Sequence, residues 1–342
     1  VQRELFCLSE TVIPAQAGIS SLNHAPADKE DSCLRRNDDR GRNHMTSFPS
    51  PDWPEVEKLA LSDGRTLAFR KMGDVNGTPI LFFHGTPGTH TLGYMASDAA
   101  KRAGYCLIAP DRPGLGDSTF QPEREHRHYP LDIVQLFHHL NIEQCGIIAI
   151  SGGAPYAFQC AYDLPEKISF IASLSGWLCY GREEAKGIEL PKQINGFKWM
   201  YRSSLATKLV GKLSNYVIKQ KIEKIEQHLQ HSLPASDLEI LAKPFYRNLF
   251  LYDLQRAYQQ GWQGPALDGE MQFRDQAFPL SAIKQPVILL HGTADSIVPY
   301  TMAEAMAKHL PNVKAFITTK KGGHLCAVIE EDRVFEAIGE LS

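Results

Sequence analysis

Ser151 closes an apolar run, Cys145–Ile150, and is followed at once by Gly152 and Gly153. The residues two positions either side of it, Ala149 and Gly153, are both small. A nucleophilic serine on a sharp strand-to-helix turn needs small residues there, because the backbone folds tightly around it. Taken alone, Ser-Gly-Gly reads equally well as a plain turn. It is not a phosphate-binding loop, since no Gly-Lys-Ser/Thr follows. Two further residues change the reading. Asp295 lies in His291–Pro299 (HGTADSIVP), just past the apolar run Pro286–Leu290, and His324 follows Lys321-Gly322-Gly323 after the run Lys314–Thr319. A serine hydroxyl is a poor nucleophile until a base takes its proton. Histidine titrates near neutrality and can hold and return that proton, while a carboxylate fixes its tautomer and stabilises the imidazolium. The chemistry implied is acyl transfer through Ser151, His324 and Asp295. The developing oxyanion needs backbone donors, worth about 3 kcal/mol each. The N–H of Gly152 is one candidate, and the N–H of Thr86 in His84–Gly88 (HGTPG) is the other; Pro87 has no N–H to offer.

These residues need elements that bring them to one edge. Val56–Leu61 and Thr66–Met72 alternate around the turn Ser62–Arg65, which predicts a hairpin. Pro79–Phe83, Cys106–Ala109, Cys145–Ile150 and Ile168–Leu174 are short apolar runs, as strands buried on both faces would be. Helical patterns near 94–103, over Tyr129–Leu140 and over Gly153–Asp163 alternate with them. After Gly176 about a hundred residues become helix-rich, punctuated by Pro191, Pro234, Pro244 and Pro265. The alternation then resumes with a strand over Pro286–Leu290, a helix over Thr301–Leu310, a strand over Lys314–Thr319 and a closing helix over Asp332–Leu341. The expectation is an α/β architecture: a mostly parallel twisted sheet with helices on both faces and a helical insertion over 177–275 that splits the core into 45–176 and 276–342. In such a sheet the carboxyl ends of the strands form one edge, where ligands bind.

The segments HGTPG (84–88), DRPGLGDS (111–118), AISGG (149–153), HGTADSIVP (291–299) and GGH (322–324) together resemble an α/β-hydrolase with a helical cap. The resemblance runs from about Val56 to the end of the chain. HGTPG and DRPGLGDS are similar to the proline-iminopeptidase-like branch, but those peptidases carry Trp directly after the serine, where Gly152 stands here. Related dehalogenases and epoxide hydrolases use Asp at the position of Ser151. The resemblance implies a serine hydrolase acting on a small, fairly apolar ester, without metal or cofactor. Two alternatives stay open: an aminopeptidase, which would need a cap carboxylate such as Glu183, Glu184 or Glu189 for the substrate ammonium, and a non-catalytic binding or scaffold member of the fold.

Other residues are weaker candidates. His84 and His291 are read as structural loop residues rather than bases, and Asp111 as a turn residue near the oxyanion loop. Asp268 is placed at the cap hinge, and Cys326 is taken for packing. In the cap, Trp177, Tyr180, Phe197 and Trp199 are expected to wall an acyl pocket. Phe197, Trp199, Met200, Tyr201, Leu205, Leu209, Leu213, Tyr216, Val217 and Ile222 recur at broadly helical spacing among Lys198, Arg202, Lys208, Lys212, Lys219, Lys221 and Lys224. This set is read as an apolar face over the site with solvated lysines outside, in preference to a basic amphipathic surface that meets anionic lipid or steers an anionic substrate.

Composition agrees with a small-molecule enzyme. The 342 residues carry 36 Lys+Arg against 39 Asp+Glu, a formal net charge of −3, so bulk electrostatics give no reason to expect a nucleic-acid partner. No apolar run approaches the roughly 20 residues a spanning helix needs. Seven cysteines without CxxC spacing argue against a disulfide framework or a zinc site and favour a reducing, cytoplasmic location. Oligomeric state is not legible. Residues 1–44 read as a disordered extension. Val12–Ile19 and Leu34–Asp38 also resemble the conceptual translation of a dispersed bacterial intergenic repeat, so translation is expected to begin at Met45.

Overall fold

A computed structural model of the chain describes residues 53–201 and 203–341. The expectations about residues 1–44 lie outside the described residues. The hairpin forms where its turn residues predict, with β1 (Glu57–Ala60) and β2 (Thr66–Gly73) antiparallel. The Asp63 carboxylate accepts the Arg65 N–H at 3.0 Å and closes the turn. β3 (Thr78–Phe83) is followed by a 3₁₀ turn over His90–Met95 and then α1 (Ser97–Arg102), so the helix predicted near 94–103 is shorter and preceded by a tighter coil. β4 (Tyr105–Pro110), α2 (Tyr129–Leu140), β5 (Cys145–Ile150), α3 (Ala154–Asp163) and β6 (Ile168–Leu174) continue the alternation.

Six helices then interrupt it: α4 (Lys192–Met200), α5 (Ser204–Gln220), α6 (Ile222–Ser232), α7 (Ala235–Leu241), α8 (Pro244–Ala257) and α9 (Gln263–Met271). Pro191, Pro234 and Pro244 stand at the starts of α4, α7 and α8, where a missing N–H costs nothing. The sheet resumes with β7 (Val287–Gly292), α10 (Tyr300–His309), β8 (Val313–Thr319) and α11 (Glu331–Gly339).

The eight strands lie in the order β1-β2-β4-β3-β5-β6-β7-β8. From β4 onward every pair is parallel, and β2 joins β4 antiparallel. Alternate residues of the central strands feed two apolar layers. Leu81, Phe83, Ile147 and Ala149 pack against α2, α3 and α10, whereas Ile80, Phe82, Ile148 and Ile150 pack against α1 and α11. Helices on both faces explain why the strand sequences are continuous apolar runs rather than alternating ones. Burying both faces leaves only the carboxyl edge of the parallel strands open to chemistry, and the cap helices sit over that edge.

Candidate active site

Ser151 begins the tight turn between β5 and α3, with φ +53°, a left-handed value that a non-glycine residue adopts only when its surroundings enforce it. Those surroundings are the loop after β3 that carries Thr86. A Cβ on Gly153 would collide with the Phe83 carbonyl, and one on Gly152 with Thr86 Oγ1. The two glycines therefore let the loop close directly onto the serine turn. Beyond β6, the Trp177 N–H donates to the Ser151 carbonyl at 2.9 Å, which ties down the other side.

His324 Nε2 lies 3.1 Å from Ser151 Oγ, and His324 Nδ1 lies 2.8 Å from Asp295 Oδ2. The three residues come from loops after β5, β7 and β8, each at the carboxyl end of its strand. Asp295 is itself positioned: its Oδ1 accepts the N–H groups of Ile297 at 2.8 Å and Val298 at 2.9 Å. Burial works against its charge, but the facing His324 and His291 imidazoles outweigh it and hold the carboxyl well below the usual range. For His324 burial again disfavours charge, and the Asp295 carboxylate overrides it, raising the imidazole above its ordinary value of 6.5. The relay is thus a neutral or chargeable imidazole between a hydroxyl and a permanent carboxylate.

Several residues around this relay are invisible in sequence pattern. Asp237, at the start of α7 in the cap, accepts the backbone N–H of His324 at 2.8 Å and of Leu325 at 2.9 Å. A Cβ on Gly323 would strike that carboxylate, which gives the Gly-Gly-His segment a physical reason. The Ser175 hydroxyl, after β6, donates to the His324 carbonyl at 2.9 Å. No local signal marks Asp237; it stands in a polar helix start like any other.

Asp268, expected to line the cap hinge, is the fully buried hub of a charged cluster. It accepts from Arg112 Nε at 2.9 Å and Nη2 at 2.8 Å, from Arg124 Nη2 at 2.9 Å, from the Tyr156 hydroxyl at 2.7 Å and from the Thr86 hydroxyl at 2.6 Å. Burial alone would neutralise it, but the two guanidiniums keep the carboxyl far below its ordinary value. Arg112 also donates to the carbonyls of His84 at 2.6 Å and Gly85 at 2.7 Å. The Arg-Pro-Gly segment thus holds the Thr86 loop from behind. His84 is buried here, with Nδ1–H donating to the Gly85 carbonyl at 2.9 Å, and burial beside Arg112 pushes its imidazole down to about 3. It is a neutral loop strut. Asp111 likewise accepts from the backbone N–H of His90 at 2.7 Å and of Asp117 at 3.0 Å, as a turn residue should.

A cavity of about 200 Å³ opens above the serine. Thr86, Ser151 and Gly152 floor it, and Trp177, Phe197, Tyr201 and Phe273 supply apolar wall. Two of the four expected wall residues are elsewhere. Trp199 is 65% exposed, because it stands two residues from Phe197 and so about 200° around the helix. Tyr180 lines a neighbouring cavity, with its hydroxyl donating to the Ile188 carbonyl at 2.8 Å. Tyr201 and Phe273 take their places. The apolar set of α5 is also not a roof over the site: Leu205, Leu209, Leu213 and Tyr216 face outward, while Gly211 and Ile218 are buried on the opposite side. Helical spacing marks both stripes alike and cannot tell them apart. Among the described residues no cluster of His, Cys, Asp and Glu could hold a metal ion, and no helix is long and apolar enough to cross a membrane.

Comparison with known proteins agrees with this architecture. A family model described as the alpha/beta hydrolase fold matches residues 78–330. A hydrolase of Bacillus subtilis, YcgS, is 26% identical over 254 residues, 72% of this chain and 84% of its own. Among solved structures, a thermophilic esterase from Thermogutta terrifontis superposes with a TM-score of 0.59 at 21% identity, covering 84% of this chain and 97% of its own. A bromoperoxidase from Bacillus anthracis superposes at 0.63 with 20% identity, over 84% and 99%. At such identities the structural likeness concerns the fold alone.

Proposed function

The chain belongs to the α/β-hydrolase family, and from that premise we propose that it is a serine hydrolase cleaving a small, fairly apolar carboxylic ester. The observation that carries this reading is the unbroken relay from Ser151 Oγ through His324 to Asp295, at 3.1 Å and 2.8 Å, beneath an apolar cavity. His324 Nε2 takes the Ser151 proton as Oγ attacks the ester carbonyl. The oxyanion is received by the backbone N–H groups of Gly152 and Thr86. The imidazolium, stabilised by Asp295, then protonates the departing alkoxide, leaving an acyl-Ser151 ester. Water, deprotonated by the same imidazole, hydrolyses that ester and restores the hydroxyl. A volume of about 200 Å³ falls below the roughly 300–1,000 Å³ of sites for drug-sized ligands, which favours a short acyl group.

The same relay would serve an aminopeptidase, but the residues that would make one are not at the cavity. Glu184 accepts from Arg182 and from the Leu280 N–H, Glu183 pairs with Lys186 at the surface, and Glu189 is exposed. Nor is there room for a larger residue at Gly152, against Thr86. A purely binding member of the fold would have no use for an imidazole so closely matched to its serine.

Fluorophosphonate labelling followed by peptide mapping tests the reading. Ser151 is expected to be labelled in the folded protein and the Ser151→Ala variant to remain unlabelled, with turnover down on the order of a million-fold. An unlabelled Ser151 would point to the binding protein instead. Short p-nitrophenyl esters should outperform prolyl anilides; the reverse order would make the protein a peptidase.

A further inference from the structure

The cap carries an outward face that the hydrolytic site does not use. From Lys192 to Lys221 the sequence holds seven basic residues and no acidic one, although the whole chain has slightly more acidic than basic residues. On α5 the exposed residues include Leu205, Leu209, Leu213 and Tyr216, interleaved with Lys208 and Lys212. Their spacing of three and four residues stacks them along one side of the helix. The apolar members, together with Trp199 on α4, are between 52% and 65% exposed. The opposite side of α5 is already satisfied, with Gly211 packed on Trp262 and Ile218 buried against Leu115, Ala257 and Tyr258. The outward stripe is therefore separate from the face by which α5 joins the core.

We propose that this face of α4 and α5 docks on an anionic lipid surface. The chemistry fits that occupant on two counts. Leucines with an interfacial tryptophan and tyrosine enter the boundary between headgroups and acyl chains, and lysines beside them meet the anionic headgroups. A second copy of the chain fits poorly, because a two-fold contact through this stripe would set Lys208 and Lys212 against their own equivalents. The consequence for the enzyme is geometric. Phe197 of α4 and Ser214 of α5 line the cavity above Ser151, so the two helices that would rest on the lipid also form the cavity wall. Docking would set the cavity close to the phase in which apolar esters concentrate.

The experiment is co-sedimentation of the full chain with phosphatidylglycerol/phosphatidylcholine vesicles and with pure phosphatidylcholine vesicles. Binding to the anionic vesicles is expected, with weak binding to the neutral ones and loss as salt rises from about 0.1 M to about 0.5 M, where screening shortens to a few ångströms. Reversing both charges in Lys208→Glu/Lys212→Glu should weaken binding by at least about 25-fold, the product of about fivefold for each lysine held near an anionic surface. Leu209→Ser/Leu213→Ser should weaken binding to both vesicle types. None of these residues touches the relay, so hydrolysis of a short water-soluble ester reports folding, and it should be unchanged. Equal partitioning of wild type and variants would overturn the proposal. So would self-association that Leu209→Ser/Leu213→Ser abolishes while vesicles go unbound. Binding is read without turnover, so its outcome is independent of whether the chain proves to be an esterase.

Discussion

At the scale of single residues, the site depends on how closely Gly152 and Gly153 let the Thr86 loop approach Ser151. Gly152→Ala places a methyl group against Thr86 Oγ1 and must push the loop away. Since a misplaced oxyanion donor costs roughly 10²–10³-fold in kcat, Gly152→Ala is expected to lose about that much while still reacting with fluorophosphonate at a reduced rate. Stopped assays on a p-nitrophenyl ester would measure it. The pH dependence belongs to His324. Only the neutral imidazole can accept the serine proton, and Asp295 raises its pKa above 6.5. Activity should therefore rise with pH along a limb whose midpoint lies above 6.5, and an acid limb below that value in kcat/KM would show that another group controls it. The three relay residues were legible in the sequence because each follows an apolar strand at a loop with small residues. That Trp199 and Tyr180 stand outside the pocket is not legible, because aromatic composition carries no direction; for Trp199, the two residues that separate it from Phe197 on α4 reverse the face.

At the scale of elements, the cap contributes to the site as well as covering it. Helix α7 holds the backbone of His324 through Asp237, and α9 holds the Thr86 loop through Asp268. Asp237 also adds negative charge near the imidazole and helps raise its pKa. Asp237→Asn should therefore shift the acid limb of kcat/KM to lower pH and lower kcat, whereas a merely structural loss would lower kcat without moving the limb. Asp268→Asn leaves Arg112 and Arg124 buried without their carboxylate, an arrangement that costs about 3–5 kcal/mol. Denaturant unfolding should show that loss. Because the Asp268 pKa is depressed on folding, its contribution is full above the ordinary carboxylate value of 3.8 and fades as pH falls below it. The acid-side decline in stability should accordingly be shallower in the variant. Neither contact could be read from sequence, since both join elements far apart in the chain: Asp237 to His324, and Asp268 to Arg112.

At the scale of the whole molecule, most of the architecture was written in local pattern. Strands buried on both faces announce themselves as short continuous apolar runs, and β5, β6 and α2 have the bounds that pattern predicts. The cap was legible as helical but not as oriented, because α5 is apolar on two sides for two different reasons. The extent of burial also has a chemical readout. The five cysteines among the described residues are free and buried, and burial pushes the thiols of Cys326 and Cys145 up to about 11 and about 12. Native protein treated with iodoacetamide should show no modification at these five positions by peptide mass spectrometry, and full modification once unfolded; fast native labelling of Cys326 would mean that the His324 loop opens. Asp237 and Asp268 carry one more consequence, for recombination between relatives. A chimera that keeps this core and borrows another protein's lid, in order to change selectivity, would discard both aspartates. It would inherit an intact serine, histidine and Asp295 yet lack the two carboxylates that hold the His324 loop and the Thr86 loop in register. Grafts that replace this chain's cap should fail by default and recover when residues equivalent to those two are carried across with the graft.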